Sequence, residues 1–542
     1  MRSLVTILVL SSLVACAAPP ADGPGDDPYG IGVGGKADDF FSPHAFEYVF
    51  SGRTTVTLEA DLAGASEEVR MQRVRELVGL EHIALAYFLT QYLIEKEPRE
   101  RGHDWGGVGG MAKAGGYREM DIQQVDALTY EFTFEQIVAA EADLQQDLPL
   151  GEEGLAEDEL HLVIGNPTNE QLAQLESDEE WFRKDPWKGW DPARVTDEGL
   201  KRHVIVRVRP ERGTPDAWLD YEQLFADGVL RIDLQLGYDY HSQYHRKHAR
   251  TLYFWLRDEL GYHAPVPTFD AFTRDSGPFT KTLNANGRQV TVEIRIFYGK
   301  DGGVNDPNTD AGGLVLDQDL RASFATADVV IFGGHSGPFY GFSMANWKRT
   351  DEGDLSYLEI ESLEMPADKY QIVVADGCDT YQIAAAFARN PAKLDGHNID
   401  VITTTSYGDA EVPYSIMNAI SHLTETDSDG MHRPRTLRSL LVDLTEANGM
   451  NPLYGIHFVA DNPHRHPYAD TRRLCDACTR HDQCGAPGNR CVTLPDWEGS
   501  FCSAACTDDS GCPRGYGCQR IAAPTAHAIY SFGCVPNDLD CS

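Results

Sequence analysis

In the second half of the chain, short runs of β-branched and other apolar residues alternate with longer segments whose apolar positions recur every three or four residues. Runs at 229–236, 329–332, 372–374, 399–405 and 454–459 read as strands. Continuous apolar runs of this length fit strands buried on both faces of a parallel sheet. Helices are expected at 245–260, with Gly261 as its C-cap, and at 317–326, 380–388, 414–424 and 437–447. Residues 279–298 read as a hairpin turning at Asn286-Gly287, a dipeptide that tolerates positive φ at both positions. This alternation predicts an α/β fold, a mostly parallel sheet with helices on both faces.

The first half is patterned differently. Residues 54–60 alternate like a half-buried strand. A helix follows Ser66, with Glu67 and Glu68 in its first turn and an apolar face through Val74, Leu77, Val78 and Phe88, closed by Pro98. His82, Thr90 and Gln91 make it too polar to span a bilayer. Further strands are expected at 128–134, 160–164 and 203–208. The glycine-rich loop 102–116 matches neither a dinucleotide fingerprint nor a phosphate-binding loop. Trp181, Trp187 and Trp190 cluster in one loop, which reads as aromatic packing before it reads as a ligand platform. Residues 45–228 are therefore expected to form a mixed α+β domain.

Composition adds a location. The 542 residues carry 84 acidic and 46 basic side chains, a net charge of −38, which disfavours nucleic acid and anionic lipid surfaces. Residues 1–16 read as an export signal ending in Leu13-Val14-Ala15-Cys16. Those four residues resemble a bacterial lipobox. The resemblance implies cleavage before Cys16, lipid on that cysteine, and, with alanine at position 17, transfer to the outer membrane or cell surface. An ordinary secretory signal is the alternative. Residues 17–44, rich in Pro, Gly, Ala and Asp, read as a flexible tether, so membrane association is expected through the lipid alone.

Of 12 cysteines, ten fall in a tail spanning 475–542: Cys475, Cys478, Cys484, Cys491, Cys502, Cys506, Cys512, Cys518, Cys534 and Cys541. They form two related units bracketed by Cys475 and Cys541. Such density in an exported chain predicts five disulfides in a module too small to hold a core. Zinc is the alternative, through Cys475-Asp-Ala-Cys478, but no regularly spaced second pair supports it. Spacing leaves the pairing open.

Cys378 is the remaining cysteine, alone in a long exported stretch. It follows Gly377 at the end of one apolar run, and His335 follows Gly333-Gly334 at the end of another. Catalytic groups in parallel sheets gather beyond the carboxyl ends of strands, and a thiol beside an imidazole is a nucleophile with its base. A hydrophobic strand ending at His, about 40 residues, then one ending at Gly-Cys, resembles the caspase-like cysteine peptidases (clan CD), among them the clostripain, gingipain, legumain and CHAT-type families. The resemblance covers roughly residues 229–460, within a domain expected at 229–465. It implies a caspase-like domain with Cys378 as nucleophile, His335 as catalytic histidine, and an oxyanion hole from the backbone of Ser336, Gly337 and Cys378. Those families carry glycine directly after the histidine, whereas Ser336 stands here before Gly337. The expected substrate is a peptide or protein.

A helix N-terminus at 380 would favour the thiolate, while Asp376 and Asp379, read as solvated loop carboxylates, would oppose it. Ser336 lacks the spacing of a nucleophile elbow. His241, His245 and His248 lie on one helical face but lack the zincin glutamate, and read as histidines of a surface helix. Asp301, Asp306 and Asp310 could hold calcium without requiring it, and Asp427-Ser428-Asp429-Gly430 reads as a turn. No cofactor is expected, and oligomeric state is not legible. The rival function is a catalytically silent caspase-like scaffold serving as a surface binding or adhesion protein.

Overall fold

The structure is a computed structural model. It describes residues 40–95, 111–112, 121–141, 144–173, 184–211, 213–238, 243–337, 341–378, 380–405, 413–427, 429–449, 453–464, 466–468, 474–484, 489–493, 499–506, 512, 516–521 and 531–537. Cys16 and the expected signal and lipidation site lie outside these residues, as do Asp379, His241, Trp181 and Cys541.

The first half forms a six-stranded sheet from β1 (Ala45–Thr57), β2 (Met111–Ala112), β3 (Ile122–Gln124), β4 (Thr129–Glu141), β5 (Glu159–Gly165) and β6 (Lys201–Pro210). Its pairings are antiparallel, in the order β2-β4-β1-β6-β5 with β3 beside β4. The helix Glu67–Glu95 lays Val74, Leu77, Val78, Leu85, Phe88 and Leu89 in the same core as Phe50, Phe132, Phe134 and Val206 of the sheet. Trp187 and Trp190 are buried and stack on each other, with Phe88 edge-on to both, so these two tryptophans are packing groups. Among the described residues, no helix is long and apolar enough to cross a membrane.

The second half forms a seven-stranded mixed sheet. It contains β7 (Val229–Leu236), β8 (Phe279–Ala285), β9 (Arg288–Tyr298), β10 (Val329–Gly334), β14 (Gln371–Gly377), β15 (Ile399–Thr404) and β16 (Tyr454–His457). Between β10 and β14 the chain makes a small separate sheet of β11 (Ser336–Gly337), β12 (Gly341–Ser343) and β13 (Asp354–Leu355). The large sheet runs β16-β15-β14-β10-β7-β9-β8. Its inner five strands are parallel and its two edge strands antiparallel. Numbered by appearance, the parallel strands follow the doubly wound order 2-1-3-4-5, and the direction of winding reverses between β7 and β10.

Alternate residues on each strand face opposite layers. Val330, Phe332, Val373 and Ala375 pack in one core with Leu316, Leu320 and Phe324 of the helix Asp310–Thr326. Val329, Ile331, Ile372 and Val374 pack in the other, with the helices Tyr244–Phe254, Tyr414–Thr424 and Leu437–Ala447. The hairpin turns where expected, with Asn286 at φ 52° and Gly287 at φ 90°. Some expectations shift. The helix expected at 245–260 ends its α-helical part at Phe254 and continues as a π-turn to Glu259. The chain expected to remain a tether through residue 44 is already packed at Phe41, which pairs with Ile456, and at Ser42, whose hydroxyl donates to the Tyr454 carbonyl at 2.7 Å.

The tail contains two hairpins, β17 (Arg490–Val492) with β18 (Phe501–Ser503), and β19 (Tyr516–Ile521) with β20 (Ser531–Pro536). Disulfides join Cys478 to Cys491, Cys484 to Cys502, Cys506 to Cys518, and Cys512 to Cys534. Each unit thus pairs its first cysteine with its third and its second with its fourth. Cys475 is also oxidised.

Candidate functional site

The register of β10 and β14 builds the site. The two strands run parallel, with Val329 opposite Ile372 and Gly334 opposite Gly377. His335 and Cys378 are the next residues on each strand, so both leave the same edge of the sheet on neighbouring strands. Cys378 is half-buried and, among the described residues, is the cysteine that no disulfide holds.

Hydroxyl groups fasten this edge. Ser336 donates to the Cys378 carbonyl at 2.6 Å, and Thr404 on β15 donates to the Gly377 carbonyl at 2.6 Å. Thr380 lies at 2.9 Å from the Ala375 carbonyl and 3.0 Å from the Thr404 hydroxyl. Because a trans peptide directs its C=O and N–H oppositely, the Gly377 carbonyl facing Thr404 turns the Cys378 N–H toward β10. His335 is tied at its own carbonyl, which accepts the Ser343 N–H at 3.0 Å. Gly337 sits opposite Gly341 in the β11–β12 pair.

Two expectations about the thiol's surroundings are corrected. The helix following Cys378 starts at Ile383 rather than at 380. Thr380 is drawn into hydrogen bonds with the sheet and Tyr381 donates its N–H to the Thr404 carbonyl, which holds this stretch as a turn. A helix dipole acts within about a turn of the helix end, so it contributes little at Cys378. Asp376, in turn, is not a solvated loop carboxylate. It accepts hydrogen bonds from Ser415 and Tyr454. Burial raises its pKa above the ordinary value, against the opposing effect of those two donors. Burial also pushes the Tyr454 hydroxyl well up, helped by the neighbouring Asp376 charge.

The other candidates are placed elsewhere. His245 and His248 are buried rather than on a surface helix, because that side of the helix faces Tyr238 and the second core; His245 packs on Tyr238 and His248 stacks with Tyr244. Asp306 accepts the backbone N–H groups of Gly302 and Asn308, and Asp301 accepts from Gln243 and Asn308, so these carboxylates organise their own loop. Asp427 accepts from the N–H groups of Asp429 and Met431, the pattern of a turn. The described tail cysteines are in disulfides, which leaves them no thiolates for zinc.

Sequence reasoning missed Thr404, Thr380, Ser415 and Tyr454. A signal existed for the first. Thr403-Thr404-Thr405 closes the apolar strand that follows the two reactive ends in the chain, and hydroxyls at a strand end can reach neighbouring loops. Ser415 and Tyr454 carry no such signal, since only the sheet order brings them to Asp376. Tyr381, the third residue after Cys378, hydrogen-bonds Glu47 of β1 and stacks edge-on with Phe40, so the first half of the chain supports this turn directly.

Comparisons with family models, with curated proteins and with solved structures each found no match.

Proposed function

We propose that this chain is an exported, lipid-anchored cysteine hydrolase of caspase-like architecture acting on peptides or proteins. The observation that carries the proposal is the parallel register Gly334–Gly377, which ends the strands leading to His335 and Cys378 level with each other at the carboxyl edge of the sheet. The doubly wound strand order supports it, as does a Cys378 thiol kept out of any disulfide in a chain whose described tail cysteines are all oxidised. The export signal and the Cys16 anchor rest on residues 1–16 of the sequence.

In this reading the Cys378 thiolate attacks the substrate carbonyl carbon, a C–S bond forms and the electron pair moves to oxygen, beside the Cys378 N–H. The C–N bond then breaks as the His335 imidazolium gives its proton to the leaving amine. Water attacks the thioester, His335 takes its proton, and the acid product leaves the regenerated thiolate.

The test is alkylation of the folded, non-reduced protein across pH, with adducts located by peptide mass and His335→Ala alongside. The expected result is a Cys378 apparent pKa below the free-thiol value of about 8.5, with the shift lost in the histidine variant. A thiol that stays inert until the protein unfolds would overturn the enzyme and leave the silent surface scaffold.

A further inference from the structure

Ser336 stands where the resembling families carry glycine, and its hydroxyl is not spare. The residue is only 2% exposed, and it donates to the Cys378 carbonyl at 2.6 Å. Gly377, on the opposite strand end, leaves room for it: a Cβ there would lie 2.1 Å from the Ser336 Oγ and 2.8 Å from the Gly334 carbonyl oxygen. The serine and the glycine are therefore complementary, one filling the space the other vacates. Ser336 is bonded to His335 in sequence and is held opposite Phe342 in the β11–β12 pair, while the His335 carbonyl is fixed by Ser343. The hydroxyl thus links the segment carrying the imidazole to the residue carrying the thiol.

We propose that Ser336 is the positioning residue of this site: its hydroxyl staples the Cys378 carbonyl and so sets the thiol against His335. The proposal rests on the cysteine–histidine reading above. Holding the carbonyl restricts rotation about the Cys378 backbone, and the direction of its Cα–Cβ bond follows. Small displacements between a nucleophile and its base change reactivity sharply. Ser336 itself takes no part in bond making. The titratable groups placed around Cys378 are His335 just beyond β10, Asp376 two residues earlier on its own strand, and Tyr454 on β16, whose hydroxyl donates to Asp376 and feels the Cys378 charge.

The experiment is the rate of Cys378 alkylation by iodoacetamide between pH 5 and 10, on the full non-reduced chain, for wild type, Ser336→Ala, Ser336→Thr and His335→Ala. Thermal unfolding is recorded for each. The expected result is an alanine variant that folds but alkylates roughly tenfold more slowly at pH 7, its profile moved toward the free-thiol value of about 8.5, with threonine restoring the wild-type profile. An alanine variant that keeps the wild-type profile overturns the staple while the cysteine–histidine site stands. A wild-type profile unaffected by His335→Ala overturns both, and that result is read without the serine variants. If the alanine variant does not fold, the threonine variant decides: a wild-type profile supports the donor's role, and a free-thiol profile in a folded protein overturns it.

Discussion

The carboxyl edge of the large sheet and the cysteine-rich tail treat the same residue type in opposite ways. At the sheet edge one cysteine is held in place through its backbone and its neighbours: hydroxyls on the flanking carbonyls, a glycine cut to fit a serine, and two apolar layers beneath. In the tail the cysteines themselves are the core, since Cys478, Cys484 and Cys502 form its hydrophobic cluster with Cys491 packed against them. A segment that buries enough apolar surface can leave a thiol reduced. One that cannot uses its sulfur as cross-links.

The sharpest way to break that comparison is reduction. Treating the native protein with a thiol reductant is expected to unfold the tail, because closing loops of 12 to 22 residues contributes about 3 kcal/mol per bond. The thermal transition of the two sheets should persist. Protease cleavage confined to residues after 475, with the main transition retained, is the expected observation. Loss of the main transition would show that the sheets depend on the tail.

Acid should discriminate in the other direction. Burial lowers the pKa of His82 to about 3 and that of His432 to about 4. A depressed histidine contributes stability that is complete above the unfolded value of about 6.5 and declines as pH falls toward the folded value. Between pH 6.5 and 4.5 each is expected to cost the sheets roughly 2–3 kcal/mol. Urea unfolding of wild type, His82→Gln and His432→Gln at pH 7 and pH 4.5 checks this, because buried carboxylates such as Asp216, raised to about 6, respond oppositely in all three; a variant whose midpoint falls with pH as far as that of wild type would contradict the burial of that ring. The disulfides of the tail carry no such proton linkage.

Within the sheet edge, Gly377→Ala should cost about 2 kcal/mol, since the added methyl meets a backbone oxygen that cannot swing away. It should also slow Cys378 alkylation, and an unchanged urea midpoint would show that the edge relaxes freely. Thr404→Val is the smallest change, about 1 kcal/mol, for the lost donor to the Gly377 carbonyl. Differential unfolding curves of wild type and variant would reveal it.

Much of the architecture was legible because it depends on local signals. The strand Val229–Leu236, the helices Tyr414–Thr424 and Leu437–Ala447 and the turn at Asn286-Gly287 lie where apolar period and turn chemistry place them. The helix after Cys378 was misplaced because two hydrogen bonds of Thr380 to the sheet outweigh the helical propensity of a short segment. His245 and His248 were read as exposed because their polarity is local, whereas their burial is decided by the strand beside them.

The sequence by itself determined the elements, the two cysteine units, and the ending of two strands at His335 and Cys378. Tertiary structure decided that those two strands are neighbours in register, that each tail unit pairs first with third and second with fourth, and that Asp376 is enclosed between Ser415 and Tyr454. The physical reason is range. Periodicity and turn preference act over a few residues, while sheet order, sulfur pairing and desolvation depend on which distant segments the core brings into contact.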